Sequence, residues 1–322
     1  MGPGNAVRLV FCGTPRFAVP TLQALHGAGY EIALAVTQPD RPVGRSQELA
    51  APPVKQTALA LGIAVTQPDK IRNNAEFRAQ LESVAPEAIV VVAYGRIIPP
   101  WMLALPKLGC INLHASLLPR YRGAAPIQWA VAMGEEITGN TTMLLEEGLD
   151  TGPILKQQAL YIRPEQTAVD LFEEMAIGGA PLVVETLEGL ANGTVKPTAQ
   201  DHSQATLAPL LEREDGRMNF ALHTATKIKN RWRGFQPWPG AFTTYERKKI
   251  IVHRLEIANG AEIDAPGAYE TGQVILREER IFVACAGNTW LELLELQLEG
   301  KKRLPLRDFL HGTHFATGAR LG

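Results

Sequence analysis

Apolar residues in the first half of this chain gather in short unbroken runs, separated by stretches with helical spacing. Strands are expected at 7–12, 32–37, 88–94 and 110–114, and the run at 88–94 (AIVVVAY) is apolar without alternation, which suits a strand covered on both faces. Helices are expected at about 19–28, 54–61, 76–84 and 125–133, with a short strand near Ile63. Strand following helix in this way predicts an α/β fold with a doubly wound, Rossmann-like sheet. Two further strands at 141–145 and 154–160 lead to a helix over 167–190. Residues 38–53 form a long loop rich in proline, arginine and glycine.

The pattern changes after residue 190. Residues 191–209 lose periodicity and gain Gly, Pro, Thr, Gln and Ser, the mark of a linker. Beyond it, short alternating strands are expected at 241–245, 249–257, 272–277, 281–284 and 290–298. Strands this short and closely spaced predict a small OB-like β-barrel. The chain therefore divides into a catalytic-type domain over 1–190, a linker over 191–209 and a barrel domain over 210–322. Trp232, Phe235 and Trp238 fit an aromatic plug between domains better than a base-stacking platform.

One segment, Cys110–Gly123 (CINLHASLLPRYRG), carries the chemistry. Asn112 and His114 lie two residues apart on a strand and so share a face. In doubly wound sheets ligands bind beyond the carboxyl ends of the strands, where these two stand. Ser116, Leu117, Leu118 and Pro119 follow at once, apolar where a surface loop is usually polar, a natural ledge for a ligand. Farther on, the loop Glu147-Gly148-Leu149-Asp150-Thr151-Gly152 offers a carboxylate. An amide to stabilise an oxyanion, an imidazole to take a proton and a carboxylate to charge it suit acyl transfer to an amine.

Composition narrows the partners. A chain of 322 residues with 46% apolar and 20% charged residues is an ordinary globular protein of two-domain size. No apolar run approaches the roughly 18 residues of a membrane span, and the start lacks a signal core or myristoylation pattern. Cys12, Cys110 and Cys285 are too far apart for a metal or redox motif and are expected as buried free thiols in the cytoplasm. The net charge is −1 overall, divided as +3 from Leu207 onward and −4 before it. A mildly basic second half suits a large polyanion held briefly. The turn Gly13-Thr14-Pro15-Arg16-Phe17 is no dinucleotide fingerprint, and nothing implies a metal or a nucleoside triphosphate.

Over its whole length the chain resembles the methionyl-tRNA formyltransferase family of folate-dependent formyltransferases. The resemblance rests on FCGTPRFAVPTL, TQPDRPVGR, VVVAYGRIIP, GCINLHASLLPRYRGAAPIQWA, EGLDTGPIL and RGFQPWPGAF. It implies transfer of a formyl group from 10-formyltetrahydrofolate to the α-amine of initiator methionyl-tRNA; no obligate protein partner is implied, and a monomer is expected. By similarity His114 is the base, Asn112 the oxyanion donor and Asp150 the group that holds His114. The same resemblance assigns Ser116–Pro119 (Ser116, Leu117, Leu118, Pro119) and Arg96, Ile97 and Ile98 to the folate, and Arg41 and Arg45 to the tRNA acceptor arm. The chain departs from it at Ser46-Gln47-Glu48, where more basic versions carry lysines, and at Met218-Asn219-Phe220, where Ile-Asp-Trp is common. Amino-sugar nucleotides or glycinamide ribonucleotide as acceptors, a folate hydrolase, and a non-catalytic RNA-binding protein are the competing readings.

Overall fold

The computed structural model describes residues 7–43, 48–263, 269–315 and 318–322. Two compact units emerge. The first comprises residues 1–126, 137–161 and 170–209, and the second residues 127–136, 162–169 and 210–322.

In chain order the elements are β1 (Arg8–Gly13), α1 (Val19–Gly27), β2 (Glu31–Val36), β3 (Arg41–Val43), β4 (Glu48–Ala50), α2 (Pro53–Ala60) and β5 (Val65–Thr66). They continue with α3 (Ala75–Val84), β6 (Ala88–Val92), α4 (Pro100–Leu103), β7 (Cys110–His114), α5 (Pro126–Met133), β8 (Ile137–Leu144), β9 (Ile154–Tyr161) and α6 (Ala168–Ala191). Seven of the strands make one sheet in the order β5-β2-β1-β6-β7-β8-β9. The first five run parallel, and β8 and β9 are antiparallel additions. The expected alternation of strand and helix is thus present in a Rossmann-like core, extended by a hairpin. Residues 145–153 are too few for the crossover a parallel pair needs, which explains the change of direction.

The interior strands are apolar because both faces are covered. Val10, Cys12, Leu34, Val36, Ile89, Val91 and Cys110 pack on one side with Phe77 and Leu81 of α3, and with Met102 of α4. Burial pushes the Cys110 thiol up to about 12, and all three cysteines are free and buried. The stretch expected as an unstructured loop over 38–53 instead contains the hairpin β3–β4, pairing Arg41 with Ala50 and Pro42 with Leu49. Its base is pinned by Lys55, whose ammonium donates to Asp40 at 2.7 Å and to Gln67 Oε1 at 2.7 Å.

The second unit is built from α7 (Ala225–Gly234), β10 (Phe242–Tyr245), β11 (Lys248–Ala258), α8 (Gly260–Ile263), β12 (Val274–Arg277), β13 (Arg280–Cys285), β14 (Thr289–Leu298), β15 (Leu304–Pro305) and α9 (Leu306–Gly312). Its antiparallel sheet has the order β10-β11-β14-β13-β12, with β15 on β14. Residues 318–322 join the two edges: Val274 N–H donates to the Ala319 carbonyl at 2.7 Å, and Gly322 N–H to that of Thr244 at 3.1 Å. That closure makes a barrel and removes open strand edges. Ile250, Val252, Ile281, Val283, Leu291 and Leu293 alternate inward, and Met218 and Phe220 join the same core. Phe235 is buried edge-on to Trp129 of α5, ring centres 5.4 Å apart, within this unit. Trp238 is half exposed.

Candidate active site

Strand β7 lies between β6 and β8, all five of its residues buried. Asn112 pairs with Val91 on one side and Met143 on the other, and His114 with Thr141. Both candidate residues therefore sit at the carboxyl end of a central strand, on one face. No protein group among the described residues hydrogen-bonds to the Asn112 carboxamide, although the residue is only 9% exposed. An amide held this way has both its donors available to a ligand.

The chain then turns back over the strand end. Tyr121 adopts the left-handed region, φ 59°, and its carbonyl accepts from the His114 Nε2–H at 2.9 Å. A carbonyl has no proton to give, so Nε2 carries one and Nδ1 is the basic atom of the neutral ring. Nδ1 stands 3.7 Å from Asp150 Oδ2, beyond hydrogen-bond reach. The imidazole is thus held from the Tyr121 side, with the carboxylate beside it.

Asp150 belongs to the turn after β8 and is itself left-handed at φ 50°. Gly123 N–H donates to its Oδ2 at 2.8 Å. Two glycines make this possible. Gly123 has φ 125°, and a Cβ there would lie 2.6 Å from the Ala208 carbonyl oxygen; one on Gly152 would lie 1.8 Å from that of Leu144. The structure brings Asn112, His114 and Asp150 to one end of the first unit's sheet.

The Ser116–Pro119 ledge is fixed from β8 and β9. Thr141 Oγ1 donates to the Ser116 carbonyl at 2.6 Å and accepts from Leu118 N–H at 3.1 Å. Gln157 Nε2 donates to the Leu118 carbonyl at 2.9 Å. Ser116 and Leu118 are buried, and Leu117 and Pro119 are half-buried. Thr141 and Gln157 were not among the residues expected from sequence. The signal for Thr141 was the polar run Asn140-Thr141-Thr142, wholly buried inside a strand, where polar side chains need specific partners; Gln157 carried none.

Residues 96–98 leave the end of β6, next to the end of β7. The Arg96 guanidinium donates to Gln38 Oε1 at 3.0 Å and to the Asp69 carbonyl at 2.5 Å. Ile97 is 90% exposed, whereas Ile98 packs in the core. The amides and carbonyls of these three residues pair with no protein group among the described residues. Arg41 is exposed on β3, and Arg45 lies outside the described residues. Among the described residues no cluster could hold a metal ion, and no helix is long and apolar enough to cross a membrane.

A sheet end with an unpaired amide, a base and a carboxylate describes a group-transfer enzyme. Residues 7–187 match the formyl transferase family, and residues 210–314 match the formyl transferase C-terminal domain. The methionyl-tRNA formyltransferase of Acidobacterium capsulatum is 61% identical over 98% of this chain and 100% of its own. That of Koribacter versatilis is 53% identical over 98% of both chains. Among solved structures, the sugar 3N-formyl transferase WlaRD, crystallised with dTDP and 5-N-formyl-THF, shares the fold. Its TM-score is 0.64 at 18% identity, over 93% of this chain and 100% of its own. The chain belongs to the methionyl-tRNA formyltransferase family.

Proposed function

We propose that this chain transfers a formyl group from 10-formyltetrahydrofolate to the α-amino group of methionyl initiator tRNA, priming translation initiation. The carrying observation is the division of labour at the end of β7. Nε2 of His114 is committed to the Tyr121 carbonyl, Nδ1 is free beside Asp150, and the Asn112 amide is unpaired. The folate supplies the activated formyl group; the fit lies in the main-chain edge of Arg96, Ile97 and Ile98 and in the ledge Ser116–Pro119.

The amine nitrogen forms a bond to the formyl carbon while the bond from that carbon to folate N10 breaks. Asn112 donates to the formyl oxygen as negative charge gathers there. His114 Nδ1 takes the proton lost by the amine, and N10 leaves with one proton. The Asp150 carboxylate stands 3.7 Å from Nδ1, beside the imidazolium that forms between these events. Arg41 and Arg45 serve the phosphates of the acceptor arm, and the enzyme acts as a monomer in the cytoplasm.

The test is formyl transfer to charged initiator tRNA, with free methionine and an acceptor-free control alongside. Formylation of the tRNA-bound amine alone, falling steeply with salt, is expected. Consumption of the folate without acceptor indicates a hydrolase instead. His114→Ala should lower kcat by about 10²–10⁴-fold in a protein that still folds; wild-type turnover by that variant removes His114 from the chemistry.

A further inference from the structure

The turn that carries Asp150 is held by a residue far away in sequence. Residues 198–208 lie along the first unit through main-chain bonds: Thr198 with Ile154 in both directions at 2.8 Å, Arg122 N–H to the Thr206 carbonyl at 2.8 Å, and Ala208 N–H to the Arg122 carbonyl at 2.7 Å. This stretch, expected as a linker, therefore sits on the site. From it Gln200 points inward, 7% exposed. Its amide donates to the Asp150 carbonyl at 2.9 Å and to the Gly152 carbonyl at 2.6 Å.

The orientation of that amide is not arbitrary. Arg122, also 7% exposed, donates to Gln200 Oε1 through Nε at 3.2 Å and Nη2 at 2.6 Å. Arginine has donors only, so the oxygen of Gln200 must face it and the nitrogen must face the turn. Both hydrogens of that nitrogen then have a carbonyl. Arg122 is the residue between Tyr121, which holds His114, and Gly123, which holds the Asp150 carboxylate. One buried pair thus fixes both sides of the base–carboxylate contact.

We propose that Gln200, oriented by Arg122, is a positioning residue for the transfer, setting the Asp150 turn against His114. This rests on the reading that Asp150 takes part in the reaction. The polar atoms of Gln200 are taken up by Arg122 and by the Asp150 turn, so its effect is expected on kcat rather than on binding.

Gln200→Glu separates this role from mere packing. It keeps volume and an acceptor for Arg122 but removes both donors to the turn. Steady-state formylation by the full chain should show kcat reduced about 10–100-fold, the range for lost partners that orient a reacting group. KM for tRNA and for folate should stay within about twofold. In an Asp150→Asn background the same substitution should cost about twofold or less, because a residue acting through Asp150 has nothing left to position. A folded Gln200→Glu enzyme with kcat within twofold of wild type, or an undiminished loss in the Asp150→Asn background, overturns the proposal. Should Gln200→Glu not fold, Gln200→Met, uncharged and donor-free, is read by the same criteria. Asp150→Asn alone at wild-type rate instead overturns the role of Asp150 itself, so the two failures are distinguishable.

Discussion

In the first unit, Asn112, His114 and Thr141 stand inside strands covered on both faces. In the second, Glu292 and Glu295 of β14 stand on outward positions and pair with Arg280 and Arg303, while Leu291, Leu293 and Leu296 of the same strand are buried. The second arrangement is what a half-buried antiparallel strand requires: apolar inward, charged outward. The first contradicts the economy of burial unless each polar group has a partner or a task. Thr141 has its partners in the ledge. Asn112 has none among the described residues, and that difference separates it from a structural polar group such as Thr141.

The largest effect follows from that contrast. Asn112→Ala should lower kcat by about 10²–10³-fold, the usual cost of one oxyanion donor. Its thermal midpoint should hardly move, because the deleted amide leaves no protein partner unsatisfied. A large fall in the midpoint together with unaltered kcat shows instead that Asn112 is structural. The second unit should behave in the opposite way. Ile281 is fully buried in the barrel, and Ile281→Val should cost about 0.5–1.5 kcal/mol by loss of one methylene and the space it leaves. Urea unfolding measures that cost. Formylation per folded molecule should remain unchanged, and a tenfold fall in kcat breaks the separation between the two regions.

Legibility follows the same line. Strand β7 with Asn112 and His114 could be read from an apolar run ending in two polar residues, and the barrel strands from alternation between turns. The antiparallel sense of β8 and β9 could not be read from apolar runs, which carry no direction; the short link over 145–153 was the available clue. Helix α7 was missed because Ala225–Gly234 is mostly polar, although Thr224 caps it by accepting from Lys227 N–H at 3.3 Å. The hairpin β3–β4 was hidden by a proline in a three-residue strand, tolerated at an edge. The Gln200–Arg122 pair was invisible for a different reason. Its residues are 78 apart, and no local pattern encodes a contact of that range.

The smallest effect sharpens the comparison between two histidines. His114 has a carboxylate beside it, whereas His223 of the second unit has cations. Burial first, then Arg231 and Lys227, hold the His223 imidazole below its ordinary value, and its Nδ1 is buried without a partner among the described residues. A base depressed in the folded state binds protons less readily than in the unfolded chain. As pH falls through the ordinary imidazole range the unfolded chain takes up a proton that the folded one resists, so stability falls. Above that range both forms are neutral and the contribution vanishes. His223→Gln should therefore flatten the acid side of the stability profile. The measurement is the difference in urea midpoint between wild type and variant near pH 7.5 and again near pH 5.5. A gap that is the same at both values shows that the His223 ring is not held neutral by its neighbours.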